Sequence, residues 1–179
     1  METIKIIVLA VAAAIVYGIL HDQITARVCV EYFTIGHRPV FHTEDPTLLG
    51  LGWGVIATWW VGLSLGLLLA AAARVGSLPK MDARDLLRPV GVMMACCGVV
   101  ALTAGVVGYV LANGGVVTLD GWLAARIPPA KHALFLADGF AHLASYTGGF
   151  VGGFVVCVCV VMRRYRRRIQ AMAAPPTFS

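Results

Sequence analysis

Charge is what this chain has least of. Asp, Glu, Lys and Arg make up 13% of its 179 residues, whereas 59% are hydrophobic and the mean hydropathy is +0.84. A soluble domain is roughly 25% charged and about 45–50% apolar, so the deficit argues against a water-solvated globule and points to lipid as the main solvent. The chain also lacks HxxxH and ExxH pairs, the ready-made helical metal motifs. It has no CxxC, which argues against a quinone-coupled thiol oxidoreductase. Its apolar runs do not alternate with polar residues, which argues against a β-barrel.

What is there is four long apolar runs, at 4–20, 48–73, 90–113 and 134–162. Each is long enough to cross a bilayer, which takes about 20 residues. They predict an all-α integral membrane protein, a four-transmembrane-helix bundle over 1–168 followed by a flexible tail over 169–179. The first run reads as an uncleaved helix and not a signal peptide, because a cut after the small residues at Ala10–Ala14 would fall inside it.

The basic residues are unevenly placed. Lys5, Arg74, Lys80, Arg84, Arg88 and the five arginines between Arg163 and Arg168 supply ten of the fourteen, all on one face of the expected bundle. The positive-inside bias makes that face cytoplasmic and puts both termini there. The arginine tail then reads as a topology and lipid-headgroup anchor, not as a nucleic-acid arm. All five histidines, His21, His37, His42, His132 and His142, fall on the opposite face. Three of them lie close to the long external loop between helices 1 and 2, where "TARVCVEYF" fits either a short strand or an interfacial helix. Thr43 or Asp45 is positioned to cap the second helix, with Pro46 in its first turn.

Ionisable residues inside a membrane segment are costly and face a bundle interior or a wet cavity. Asp138 and His142, at i and i+4, share one helical face. His21 and Asp22 end the first run at similar depth. Convergence of carboxylates and imidazoles from facing helices is how bundle metal sites are built. The candidate ligands are His21, Asp22, Glu31, Asp138 and His142, with His37 and His42 in reserve. The metal would be Zn, Cu or Fe, with bis-histidine haem on His21 and His142 as a variant. The competing reading is a non-catalytic clasp, in which Asp138 and His142 pair with each other or with Arg27 to satisfy buried polarity. A third is a small cation or copper transporter, with Cys96, Cys97, Cys157, Cys159 and nearby methionines as soft ligands. Those residues are also good apolar fillers.

Glycines at 50, 52 and 54, and at 148, 149, 152 and 153, predict close helix contacts. Ser145 and Tyr146 predict a helix-to-helix hydrogen bond. The only partner the sequence requires is the lipid bilayer. The limited core of four helices also suits a homo-oligomer or a larger membrane complex.

The stretches "YGILHDQIT", "EYFT", "WWVGL" and "AHLASYTGG" resemble a family of small bacterial four-span membrane proteins marked by HDQxT followed by EYFT. The resemblance covers most of the chain. It implies an integral protein of a bacterial inner membrane and implies no activity. The residues it picks out are His21, Asp22, Gln23, Thr25, Glu31, Tyr32 and His142.

Overall fold

A computed structural model describes residues 1–173. Their elements are helices α1 (Glu2–Val28), α2 (Val30–Thr34), α3 (Pro46–Ile56), α4 (Trp59–Arg74), α5 (Ala83–Asn113), α6 (Gly121–Arg126) and α7 (His132–Ala173). A single 3-10 turn, Pro129–Lys131, leads into α7. Among the described residues there is no strand. Four segments are long and apolar enough to cross a bilayer: Glu2–Val28, Pro46–Arg74, Ala83–Asn113 and Pro129–Ala173. With large aliphatic side chains exposed along all of them, the chain is a helical membrane protein.

Several boundaries differ from the expected ones. The first helix does not stop at His21; it runs two turns further, to Val28, so His21 and Asp22 lie within it. "TARV" is the end of α1 and "VEYFT" is α2, so the uncertain loop segment is helical. The third span begins seven residues early, at Ala83, where Asp82 and Asp85 form a capping box. The expected flexible tail is helical through Ala173, and the rest of it, 174–179, lies outside the described residues. The α3 start matches expectation: Asp45 accepts from the amides of Thr47 and Leu48, and Pro46 occupies the first turn.

The second span is broken at Ala57–Thr58. Thr58 turns its hydroxyl back onto the Gly54 carbonyl at 2.6 Å. The Ala57 carbonyl is left to accept from Tyr146 on α7. Irregular backbone at membrane depth is tolerated where it lines a cavity, and Ala57 and Thr58 do line one, described below.

Helix α1 packs along α3 and α4, α5 packs along α7, and α4–α7 contacts join the two pairs. The α1 contact follows from residue size. Its buried stripe, Ile6, Ala10, Ala14, Gly18, Asp22 and Ala26, recurs every four residues. It meets glycines on α3 and α4 at the same spacing. A Cβ on Gly66 would lie 3.2 Å from Ile7 Cα, one on Gly62 2.8 Å from Val11 Cα, one on Gly54 2.6 Å from Ile19 Cα, and one on Gly50 3.0 Å from the Asp22 carbonyl carbon. Backbone meets backbone along the whole seam, which is how small residues stabilise helix pairs in lipid. Gly52 instead faces the Phe41 ring, while Gly152 and Gly153 admit the side chains of Met93 and Leu65. Cys97 and Met93 belong to the apolar core around Ile6, Leu69 and Leu86, the filler role weighed above.

The other end of the bundle is fastened by Arg164. Only 2% exposed, it donates to the carbonyls of Ala72, Val75, Leu78 and Pro79, three of them at 2.9–3.0 Å. Its charge therefore sits against the C-terminal dipole of α4. Arg167 pairs with Asp85 at 2.9 Å. Of the arginines read as headgroup anchors, these two instead hold helices together.

Two substitutions test this account by thermal unfolding in detergent or nanodiscs. Gly54→Ala forces α1 from α3 and costs about 1–3 kcal/mol, while Gly149→Ala, whose Cβ meets nothing within 4 Å, changes stability by no more than ~1 kcal/mol. Arg164→Met strands buried carbonyls and costs about 1–3 kcal/mol for each left unpaired.

Candidate metal centre

The glycine seam sets the rotation of α1 and thereby the direction of its polar residues. Asp22 occupies the next position of the small-residue stripe after Gly18, so it points inward and is 4% exposed. His21, one residue earlier, sits beside it and stacks on Tyr17 one turn below, with ring centroids 5.9 Å apart. Gln23 and Arg27 face the other way. Gln23 donates to the Thr47 carbonyl, and Arg27 bonds to Gln23 and to the Thr47 hydroxyl, so both tie α1 to the start of α3. Thr25 turns back on the His21 carbonyl.

Helix α7 supplies His142 from the opposite side. Its ring lies edge-on to His21, with centroids 4.6 Å apart, and stacks on Tyr32 of α2 at 4.5 Å. Nδ1 bonds to the Asp138 carbonyl at 2.8 Å. A carbonyl only accepts, so Nδ1 carries the proton, and in the neutral ring Nε2 bears the lone pair. That Nε2 lies 3.3 Å from Asp22 Oδ1. A lone pair and a carboxylate oxygen face one another, an arrangement that needs a proton or a cation between them. One ligand atom from each of His21, Asp22 and His142 falls within 4.8 Å of the others. Beside them is a cavity of about 50 Å³ bordered by Tyr17, Thr58, Ser145 and Tyr146. A water needs roughly 10–15 Å³ of such space, so it accommodates a small oxygen ligand. The expected helix-to-helix bonds are here: Ser145 to the Tyr17 hydroxyl at 2.8 Å, and Tyr146 to the Ala57 carbonyl at 3.4 Å.

The other candidate residues fall elsewhere. Asp138 contributes its backbone carbonyl to His142, while its carboxyl, 2% exposed, faces Cys29 and leaves Oδ2 without a partner. Glu31 accepts from the Cys29 thiol at 3.3 Å. His37 spends Nδ1 on the Tyr32 carbonyl and lies between Tyr32, Phe33 and Trp53, part of an aromatic cover over His142. His42 is exposed on the connection to α3. Arg27 pairs with neither Asp138 nor His142. Tyr17 opens the stretch "YGILHDQIT" and stands one helical turn before His21, a relation legible in the sequence; Thr58 adjoins no such stretch, and its place beside the site follows only from the break between α3 and α4.

Two groups beyond the spans are held neutral. Burial, reinforced by the hydrogen bond to Glu31 and by the charges of Glu31 and Asp138, pushes the Cys29 thiol up to about 12. Burial and then the Asp138 charge raise the Tyr32 phenol above its ordinary range. Neither is an anionic ligand or nucleophile near neutral pH.

Compared with protein-family models, curated proteins and solved structures, the chain matches none.

Cys29 is fully buried as well as protonated. In a variant retaining only that cysteine, labelling by a water-soluble maleimide at neutral pH is expected to be at least about 10³-fold slower than for a free thiol. It should reach the ordinary rate after unfolding, which mass spectrometry follows directly.

Proposed function

We propose that this protein binds a transition-metal ion through His21, Asp22 and His142, in a site that keeps one coordination position open. The observation that carries the reading is the 3.3 Å approach of His142 Nε2 to Asp22 Oδ1, with no proton assigned to either atom by their other partners. In a tetrahedral site with bonds of about 2.0–2.1 Å, neighbouring ligand atoms stand about 3.3 Å apart. His21 completes two imidazoles and one carboxylate, a donor set suited to Zn or non-haem Fe(II). The adjacent cavity suits a water or substrate oxygen as a further ligand. Three protein ligands with an open position are characteristic of catalytic metal centres rather than structural ones. The backbone carbonyl on His142 Nδ1 orients that imidazole, as outer partners of metal-bound histidines do. Haem fits less well, since the rings of His21 and His142 touch and leave no gap for a macrocycle.

The resemblance to the bacterial four-span family, together with the ten basic residues at one end, supports a bacterial inner membrane with both termini cytoplasmic. The metal site would then lie toward the outer surface, within reach of periplasmic metal.

The clasp is the second reading, favoured by the direct Asp22–His142 approach together with the Tyr17–Ser145 bond. In that case a proton, not a metal, lies between Asp22 and His142, and the pair serves only to join α1 to α7.

Purification without chelator or histidine tag, followed by elemental analysis and a visible spectrum, separates the two. The metal reading expects about one ion per chain, with affinity falling at least 100-fold in His142→Ala and Asp22→Asn and little change in Tyr17→Phe. A folded, metal-free protein that takes up no Zn, Fe or Cu on reloading, and loses several degrees of Tm in His142→Ala, would leave the clasp.

A further inference from the structure

A second and much larger cavity opens between α1 and α5. It is an apolar groove of about 760 Å³ that runs from Leu9 to Val28 along α1, with α5 as its other wall. Nineteen residues of helix rise about 28 Å, so the groove traverses most of a bilayer. The α5 wall is cut away by Gly91, Ala95, Gly98 and Gly105. At the histidine end the lining changes character, because His21 and Asp138 border the groove there. The two buried side-chain polar atoms without a hydrogen-bond partner among the described residues are His21 Nε2 and Asp138 Oδ2. Both residues border this end of the groove, and His21 borders the smaller cavity as well. A polar atom stranded in an apolar surround is costly, so two together mark the place where a polar ligand group belongs.

We propose that this groove binds an isoprenoid quinone or its quinol, with the ring at His21 and Asp138 and the tail along α5. Three features select that class over other lipids. No Lys or Arg among the described residues borders the groove, and the carboxyl at its polar end is Asp138, so nothing there pairs with a phosphate head. The polar end also lies within the first span and not at its end: His21 is seven residues, about 10 Å, inside the end of α1. That depth suits a small uncharged head and not one anchored at the surface. Finally, the end is aromatic. Tyr17 stacks on His21. Tyr109 borders the same groove one turn from Gly105, which packs on Ala137 and Ala141 at the level of Asp138. A flat ring fits between such faces. One quinol hydroxyl can donate to Asp138 Oδ2 while its oxygen accepts from a protonated His21 nitrogen.

This inference does not rest on the metal reading. His21 borders both cavities, yet each can be tested without the other. The protein is purified from membranes, and bound lipid is extracted and separated by chromatography. A short-tailed ubiquinone and a short-tailed menaquinone are then titrated into the protein in nanodiscs. About one quinone per chain is expected, enriched over phospholipid. Gly98→Leu and Gly91→Leu fill the groove without touching the α7 contact, since a Cβ at Gly98 meets only Tyr17 at 3.9 Å and one at Gly91 meets nothing within 4 Å. Each should weaken binding at least tenfold while leaving Tm and metal content unchanged. His142→Ala should do the reverse, losing metal and keeping quinone. The proposal is overturned if saturating quinone does not bind, if Gly98→Leu folds normally and binds as tightly, if only phospholipid is extracted, or if the groove is covered by a second copy in a dimer that Gly98→Leu dissolves.

Discussion

In an apolar solvent every polar group must find its partner inside the protein, and most of this structure follows from that constraint. At one end a buried guanidinium meets it by donating to four carbonyls at the end of α4 and in the loop beyond. At the other, Asp22 meets it through His142, and the Ala57 carbonyl, released by the break between α3 and α4, through Tyr146. The exceptions are as informative as the rule. His21 Nε2 and Asp138 Oδ2 are stranded in a bundle that elsewhere leaves little unpaired, and both lie where a cavity gives access to a ligand.

The seam between α1 and the α3–α4 segment makes this arrangement possible. Repeats of small residues at four-residue spacing let the two backbones touch, and contact of that kind permits little rotation. Asp22 is therefore buried by register: it takes the position after Gly18 in a stripe of alanine and glycine. A carboxylate placed there has to be matched, and α7 matches it with His142. The packing energy of the glycines thus holds a costly polar group in place, at a precision that loops seldom provide.

His21 stands between the two cavities, one small and edged with hydroxyls, the other long and apolar. That position would put a metal with an open coordination site and a membrane-dissolved quinone on neighbouring faces of one imidazole. The rings of Tyr32, Phe33, His37 and Trp53 pack together beside His142 at the same end of the bundle.

The sequence by itself determined the features carried by neighbours along the chain. Four apolar runs stood out because span length and hydropathy are local. The Asp45 cap and the first-turn Pro46 were legible because capping needs only adjacent residues. His21, Asp22 and His142 stood out as charges in apolar runs. Helix ends were less legible, since His21 to Val28 is polar enough to resemble a loop until α3 packs against it. What only the tertiary structure decided was which groups face each other. Asp138 looked like the partner of His142 at i−4, but its carbonyl takes that role and Asp22, more than a hundred residues away, supplies the carboxylate. Arg164 looked like one of five equivalent surface arginines, yet it alone enters the core. In both cases the outcome depends on how each helix is rotated about its axis. That rotation is set by the close contact of whole helix faces, which no short stretch of sequence encodes.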